Sequence, residues 1–299
     1  VEESSSIGII INPASAGGKT LQLAPEITER FAASGRKHDI HISSRSGEPP
    51  VVARQMLERG ITTVVAVGGD GTINEVASAI LEHGGDAALG IIPSGSGADF
   101  VRTLQIPNDI APAIKLILDG RTSRIDAGRI SFDDQSCIYF VNVAGLGFDA
   151  VTAEFAIDTI LPGSTLPYLV SALRAMRVYQ NMDMRIESEH GIWEGRAASV
   201  LFANAKYFAG GMKIAPMAEI DDGVLDVCIL GDLTHFEMIR AVPGVFKGKH
   251  VTNPKFTHFT ASSITVTTQY PARIQADGEL FKYTPVTIDI LPGALKICR

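Results

Sequence analysis

Over the first 130 residues the apolar positions keep two rhythms in alternation. Short runs rich in β-branched residues, at Ile7–Ile11, His38–Ile42, 62–67 and 88–92, read as strands. Between them, segments 21–33, 51–59, 72–81 and 110–118 repeat apolar residues at helical spacing, and Gly35, Gly60 and Gly120 follow three of them as stop signals. A further strand is expected at 124–130. Strand and helix in this order imply a mostly parallel sheet covered by helices on both faces. In such sheets ligands bind at the carboxyl ends of the strands.

From about residue 131 the rhythm changes. Short alternating strands are separated by turn signals at Phe132-Asp133-Asp134-Gln135, Glu189-His190-Gly191, Asp221-Asp222-Gly223 and Ala276-Asp277-Gly278. This pattern predicts an antiparallel β-sandwich domain with helical insertions at 166–179 and 235–246. The boundary is placed near Asp126-Ala127-Gly128. The expected fold is therefore α/β + β: a Rossmann-like, mostly parallel domain over 1–128, then a β-sandwich domain over 129–299. The last strand, 294–298, either stays in the second domain or returns to the first; pattern alone does not decide.

With 299 residues, 45% apolar and 20% charged, the chain has a globular composition of two-domain length. A net charge of −7 argues against a nucleic-acid partner, which needs a basic surface. Cys137, Cys228 and Cys298 are dispersed and odd in number, so no disulfide framework is expected. His38 and His41 would face opposite sides of a strand, and no transition-metal site is expected. No apolar run approaches the ~20 residues that span a bilayer. No signal-peptide pattern is present, although the chain starts at Val1 rather than Met. The expected location is cytoplasmic, with peripheral contact at the inner membrane face left open.

Three loops carry candidate chemistry, each after a strand. In Val64-Val65-Ala66-Val67-Gly68-Gly69-Asp70-Gly71-Thr72-Ile73-Asn74-Glu75-Val76 a strand gives way to a helix within five residues, which leaves backbone N–H groups with little bulk around them to meet a phosphate. Asp70 would repel a bare phosphate, so a cation is implied. The plainer reading is a capping box at Thr72 and Glu75. Pro93-Ser94-Gly95-Ser96-Gly97-Ala98-Asp99-Phe100 repeats the strand–glycine–helix logic. The first loop, Asn12-Pro13-Ala14-Ser15-Ala16-Gly17-Gly18-Lys19-Thr20, ends like a P-loop, but Pro13 stands where that pattern needs glycine. It could still offer N–H groups, the Ser15 hydroxyl and the Lys19 ammonium, or be a solvated Asn-Pro turn.

Together with Asn142-Val143-Ala144-Gly145-Leu146-Gly147-Phe148-Asp149, Asp222-Gly223-Val224-Leu225-Asp226 and Asp277-Gly278-Glu279, these loops resemble the diacylglycerol kinase catalytic-domain family over nearly the whole chain. Gly-Gly-Asp-Gly by itself is shared with NAD kinases and phosphofructokinases; the ordered set is more specific. The resemblance implies an ATP- and Mg²⁺-dependent kinase that phosphorylates the hydroxyl of a diacylglycerol-like or sphingoid lipid entering between the two domains. By the same resemblance Asn12, Pro13, Ala14, Ser15, Ala16, Lys19, Ser44, Gly68, Gly69, Asp70, Gly71, Thr72, Glu75, Ser94, Gly95, Ser96 and Gly97 would hold ATP. Asp70 would lie near the phosphates and Mg²⁺, and Asp277, helped by Glu279, would be the catalytic base. A structural Mg²⁺ is implied at Asp222, with Glu219 and Val224 as carbonyl donors. Asp126, before the boundary glycine, reads either as joining a metal–water network or as an exposed strand-end carboxylate. In isolation, Asp277-Gly278 and Asp222-Gly223 are also plain hairpin-turn sequences.

Ala98 departs from the family, which usually has Asn there, and removes a side-chain donor and acceptor from the nucleotide edge. A NAD-kinase-like phosphotransferase and a catalytically weak nucleotide- or lipid-binding regulator are the alternatives. In 166–179 an apolar stripe of Leu166, Leu169, Val170, Leu173 and Met176 lies beside Arg174 and Arg177; it would pack on a sheet or touch an anionic membrane. Lys247-Gly248-Lys249-His250 reads as a solvated basic loop. A homodimer is left open.

Overall fold

A computed structural model describes residues 6–45, 47–95, 98–157 and 165–299, the side chains of 157 and 165–168 excepted. The chain divides into two compact units, Val1–Ile125 with Gly293–Arg299, and Asp126–Pro292.

In the first unit, β1 (Ile7–Ile11), β2 (His38–Ile42), β3 (Thr63–Gly68) and β4 (Ala88–Pro93) form a parallel sheet in the order β4-β3-β1-β2. Val64, Val65, Ala66 and Val67 have no exposed surface, as an apolar run without alternation requires of a central strand covered on both faces. The covering helices are α1 (Ala24–Ala33), α2 (Pro49–Glu58), α3 (Asp70–Glu82), α4 (Asp99–Leu104) and α5 (Ile110–Asp119). Ile27, Phe31, Ile114 and Ile117 join one core with β1 and β3. Gly120 ends α5 at φ +69°, the left-handed geometry that suits glycine after a helix. β5 (Thr122–Phe132) begins in this unit and ends in the second.

The second unit contains β6 (Cys137–Phe140), β7 (Val143–Gly147), α6 (Phe148–Ile157), α7 (Thr165–Ala175), β8 (Met182–Ser188), β9 (Gly191–Ala203), β10 (Leu225–Gly231) and α8 (His235–Phe246). They are followed by β11 (Phe256–Ala261), β12 (Ser263–Thr268), β13 (Arg273–Ala276), β14 (Glu279–Tyr283) and β15 (Val286–Cys298). The strands run antiparallel in the order β14-β13-β7-β9-β8-β12-β15, and β10 pairs with both β9 and β11. β9 is long enough to serve two partners on one side, β8 along its first half and β7 along its second. Leu146, Ile186, Phe202, Val227, Ile264 and Ile288 meet in a sandwich-like core. The end of β15 returns to the first unit and pairs in parallel with β4, Lys296 opposite Ala88.

Several features differ from the pattern, among them α6, a helix where none was expected. The helix expected over 21–33 starts at Ala24, because Ala16, Gly17 and Gly18 take positive φ and break 15–23 into 3-10 turns. The capping box, the plainer alternative for Thr72 and Glu75, does not form: α3 starts earlier, with Gly69 as its N-cap and no side-chain cap bond. A capping box does occur on α8, where Thr234 and Glu237 each bond the other's backbone N–H.

Candidate functional site

The first, second and third loops leave β1, β3 and β4 at their carboxyl ends, and side chains stitch them together. Asn12 Nδ2 donates to Thr72 Oγ1 at 2.8 Å, and the Asn12 amide oxygen accepts from the Ala14 N–H at 3.1 Å. Ser15 Oγ lies 3.4 Å from Thr72 Oγ1. Thr20, fully buried, donates to the Ser15 carbonyl at 3.0 Å and sits 2.8 Å from Ser94 Oγ. Thr72 is thus committed to the first loop, which is why it does not cap its own helix. Thr20 bridges the first and third loops, a role that no local signal announced.

The glycines divide by what surrounds them. A Cβ on Gly95 would lie 2.5 Å from the Gly69 Cα, and one on Gly68 would lie 2.6 Å from the Thr72 side chain. Gly95 lets the third loop approach the second, and Gly68 leaves room for the Thr72 side chain within the second. Gly71, with Gly17 and Gly18 in the first loop, has nothing within 4 Å of a notional Cβ and leaves room beside the backbone. Pro13, Ala14 and Ala16 follow β1 in the first loop, and Lys19 is exposed with no ion pair among the described residues. Ser96 and Gly97 lie outside the described residues.

The Asp70 carboxylate accepts the N–H groups of Asp99 and Phe100, both at 3.2 Å, at the start of α4. It therefore caps the third loop's helix, as an anion at a helix N-terminus should. Asp99 is buried and receives Arg102 Nη1 at 3.0 Å. Ala98, between the loop and α4, holds φ +50°, a conformation Asn tolerates better than Ala. Glu75 lies half-buried on α3. Ser44, two residues past β2 at the same carboxyl edge of the sheet, donates its hydroxyl and N–H to Glu48; those bonds, the backbone one first, pull Glu48 down to about 2. Glu48 was not singled out from sequence.

In the second unit Asp277 and Gly278 make the β13–β14 hairpin turn, at φ +49° and +89°. The turn reading holds, and the carboxylate does more. Asp277 accepts the N–H groups of Val141, Asn142 and Val143 at 2.8, 3.0 and 2.9 Å. The Glu279 carboxylate makes no hydrogen bond or ion pair among the described residues. Its residue surface is largely exposed, yet the carboxyl sits among enough protein atoms that desolvation raises it above the usual carboxylate range.

Behind the turn is a buried chain. Gln275 accepts the Gly278 N–H at 3.1 Å and donates to Asp149 Oδ2 at 3.1 Å; Ser199 donates to Asp149 Oδ1 at 2.9 Å. Burial pushes Asp149 up to about 6 against these bonds. Ser199 and Gln275 carry no sequence signal, because their partners are distant in the chain. An apolar cavity of about 100 Å³ lies beside Asp149, lined among others by Leu169, Met176, Leu201, Met212 and Met238.

Glu219, Asp222 and Val224 lie in one turn, which Asp126 on β5 meets. Asp126, buried, accepts the Gly223 N–H at 2.7 Å, and Asp222 accepts the Val224 N–H at 3.2 Å. Burial raises Asp222, and the negative charges of Asp226, Asp126 and Glu219 raise it further. Such crowding fits a cation held by one carboxylate and backbone carbonyls. Among the described residues no set of three or more His, Cys, Asp or Glu side chains converges as a metal site. The basic loop reading fails at His250, which is buried against Phe256 and donates Nε2–H to the Ile214 carbonyl at 2.9 Å.

A family model described as the diacylglycerol kinase catalytic domain matches residues 6–130, and one described as the YegS C-terminal NAD kinase beta sandwich-like domain matches 142–299. A diacylglycerol kinase of Staphylococcus haemolyticus is 27% identical over 292 residues, covering 97% of this chain and 87% of its own. One from Staphylococcus epidermidis is 29% identical over 273 residues, 91% of this chain and 84% of its own. Among solved structures, a Bacillus anthracis protein assigned to the diacylglycerol kinases superposes with a TM-score of 0.81 at 25% identity, over 98% of this chain and 97% of that one.

Proposed function

The chain belongs to the diacylglycerol kinase family and is a lipid kinase, and we propose that it moves the γ-phosphate of ATP, with Mg²⁺, to the hydroxyl of a diacylglycerol-like or sphingoid lipid. The observation that carries the donor half of this reading is the stitching of three glycine-bearing loops at the carboxyl ends of adjacent parallel strands. Phosphoryl transfer needs little covalent chemistry from the protein beyond positioning and charge neutralisation. Backbone N–H groups at the start of α3 have no intrahelical acceptors and suit a phosphate. Lys19 brings a positive charge to the same loops. Asp70 orders the third loop through α4, so its part in nucleotide binding is to hold the cradle's shape.

For the acceptor, Glu279 is assigned as the base and Asp277 as its positioning residue. Protonating Asp277 would weaken three charge-assisted amide bonds, whereas Glu279 is unengaged and raised toward the range useful for taking a proton. Mg²⁺, when bound with the nucleotide, would neutralise phosphate charge. A second, structural cation would be held by Asp222 and the carbonyls of Glu219 and Val224, with Asp126 through water.

The test is transfer from radiolabelled ATP to diacylglycerol, monoacylglycerol and sphingosine in mixed micelles, with and without EDTA. A labelled lipid that needs divalent metal supports the reading. Tight nucleotide binding without turnover on any acceptor would replace it with a regulator.

A further inference from the structure

Asp149 is a charge kept where charge is costly. It stands in the first turn of α6, is 5% exposed and lines the apolar cavity. Desolvation outweighs the bonds it receives, which is why its carboxyl stands at about 6. An amide of the same shape would fill the space without that cost. A Cβ on Gly145 would collide with Asp149 Oδ2, so β7 itself leaves room for the carboxylate. What the carboxylate supplies, and an amide does not, is a fixed direction of hydrogen bonding.

The side-chain bonds at this carboxyl all point toward it. Ser199 Oγ accepts the Asp149 N–H at 3.1 Å and donates to Oδ1 at 2.9 Å, and Gln275 Nε2 donates to Oδ2 at 3.1 Å. An ionised carboxyl only accepts, so it takes the amino end of the Gln275 amide and turns the oxygen end the other way. That oxygen accepts the Gly278 N–H at 3.1 Å, inside the β13–β14 turn. Gln275 is 4% exposed on β13, with Gly145 of β7 and Leu280 of β14 as its neighbours across the strands. Buried there, a flipped amide would set its own N–H groups against the Gly278 N–H and leave both unpaired. Glu279 follows Gly278 directly, so the setting of the turn is the setting of Glu279.

We propose, on the reading of Glu279 as the base, that Asp149 and Gln275 are its positioning residues: the carboxylate locks the Gln275 amide in one orientation, and the amide holds the Gly278 turn that places Glu279. Asp277 holds the same turn separately, through the N–H groups of residues 141–143. Two holds fix both the position and the tilt of a two-residue turn, which one hold leaves free to pivot. A base must meet the acceptor hydroxyl within hydrogen-bond reach, and small misplacements there cost rate rather than binding.

The experiment compares Asp149→Asn, Gln275→Glu and the double variant that carries both. Asp149→Asn can turn either end of its amide to Gln275, so the lock is lost. Gln275→Glu sets two carboxylates face to face. In the double variant the new amide donates to the new carboxylate, whose second oxygen accepts the Gly278 N–H, and the chain of bonds returns. Two readouts are taken: amide exchange at Gly278, by NMR on glycine-labelled protein without substrate, and single-turnover transfer from ATP to diacylglycerol. Each single variant is expected to exchange roughly tenfold faster at Gly278 and to lose roughly tenfold in transfer at saturating lipid, with ATP affinity and lipid KM unchanged. The double variant should recover most of both. A packing role alone would lower the urea midpoint and leave transfer by the folded variants as in wild type. Should Gln275→Glu fail to fold, Gln275→Met, which keeps the side-chain length without either bond, takes its place with the same expected losses. Wild-type exchange or wild-type transfer in both single variants, or a double variant no better than the worse single one, would overturn the proposal. A wild-type protein that transfers nothing to diacylglycerol would overturn the functional reading instead, and exchange at Gly278 would still decide whether Asp149 and Gln275 hold the turn.

Discussion

Asp277 and Glu279 stand two positions apart in one hairpin, and their surroundings differ: Asp277 is held by three backbone N–H groups, whereas the Glu279 carboxylate is not. Both were legible as a motif, which put the base at Asp277 with Glu279 as helper; the proposed assignment reverses that order on the hydrogen bonds that occupy Asp277. The three N–H groups that occupy Asp277 belong to residues 141–143, more than 130 positions away, and no local pattern foretells that contact. Ala98 shows the reverse case. Its departure from the family's Asn was visible, and its meaning came from a backbone angle. At φ +50° an L-residue is strained, so Ala98→Gly is expected to raise the urea midpoint, a gain in unfolding free energy of about 1 kcal/mol at most, with Ala98→Asn intermediate. Both variants should retain nucleotide binding. A fall in midpoint with Ala98→Gly would contradict the strain.

Among elements, the parallel strands and most of their helices were legible because apolar period and glycine stops agree. The exceptions are informative. The 3-10 segment 15–23 escaped because positive φ at Ala16 is invisible in composition. The capping box at Thr72 failed because Asn12 and Ser15 meet that hydroxyl. Glycines in the second and third loops read as phosphate-approach residues, while Gly68 and Gly95 serve loop packing. Gly95→Ala would press a Cβ to 2.5 Å of the Gly69 Cα, and backbone cannot yield cheaply. It is expected to destabilise the protein by roughly 1–3 kcal/mol and to weaken ATP binding at least about tenfold by calorimetry. Gly71→Ala, with open space around it, should keep the fold. Wild-type affinity in Gly95→Ala would contradict the packing role.

At the level of the molecule, the change of rhythm near residue 131 was plain, whereas the return of the last strand was not, since a short apolar strand fits either sheet. Stability against pH follows from Asp149. Its folded value of about 6 lies above the ordinary 3.8, so the native state binds more protons between those values. Stability from this group is therefore greatest below about pH 4, falls as pH rises to about 6, and is level above, a change on the order of 3 kcal/mol. Glu48 and Glu237, held at about 2 by their hydrogen bonds, act oppositely and below pH 4.5. Urea midpoints of wild type and Asp149→Asn from pH 4 to 7 should diverge in the upper window, the variant losing the decline. Parallel curves would remove Asp149 as its source. The central claim, a lipid kinase with Glu279 as base, is tested most directly by single-turnover phosphate transfer to diacylglycerol in Glu279→Gln and Asp277→Asn at saturating ATP. Glu279→Gln should lose about 10²-fold or more in the chemical step with ATP affinity retained. Asp277→Asn should lose less, with ATP affinity retained. Near wild-type transfer by Glu279→Gln would contradict the account.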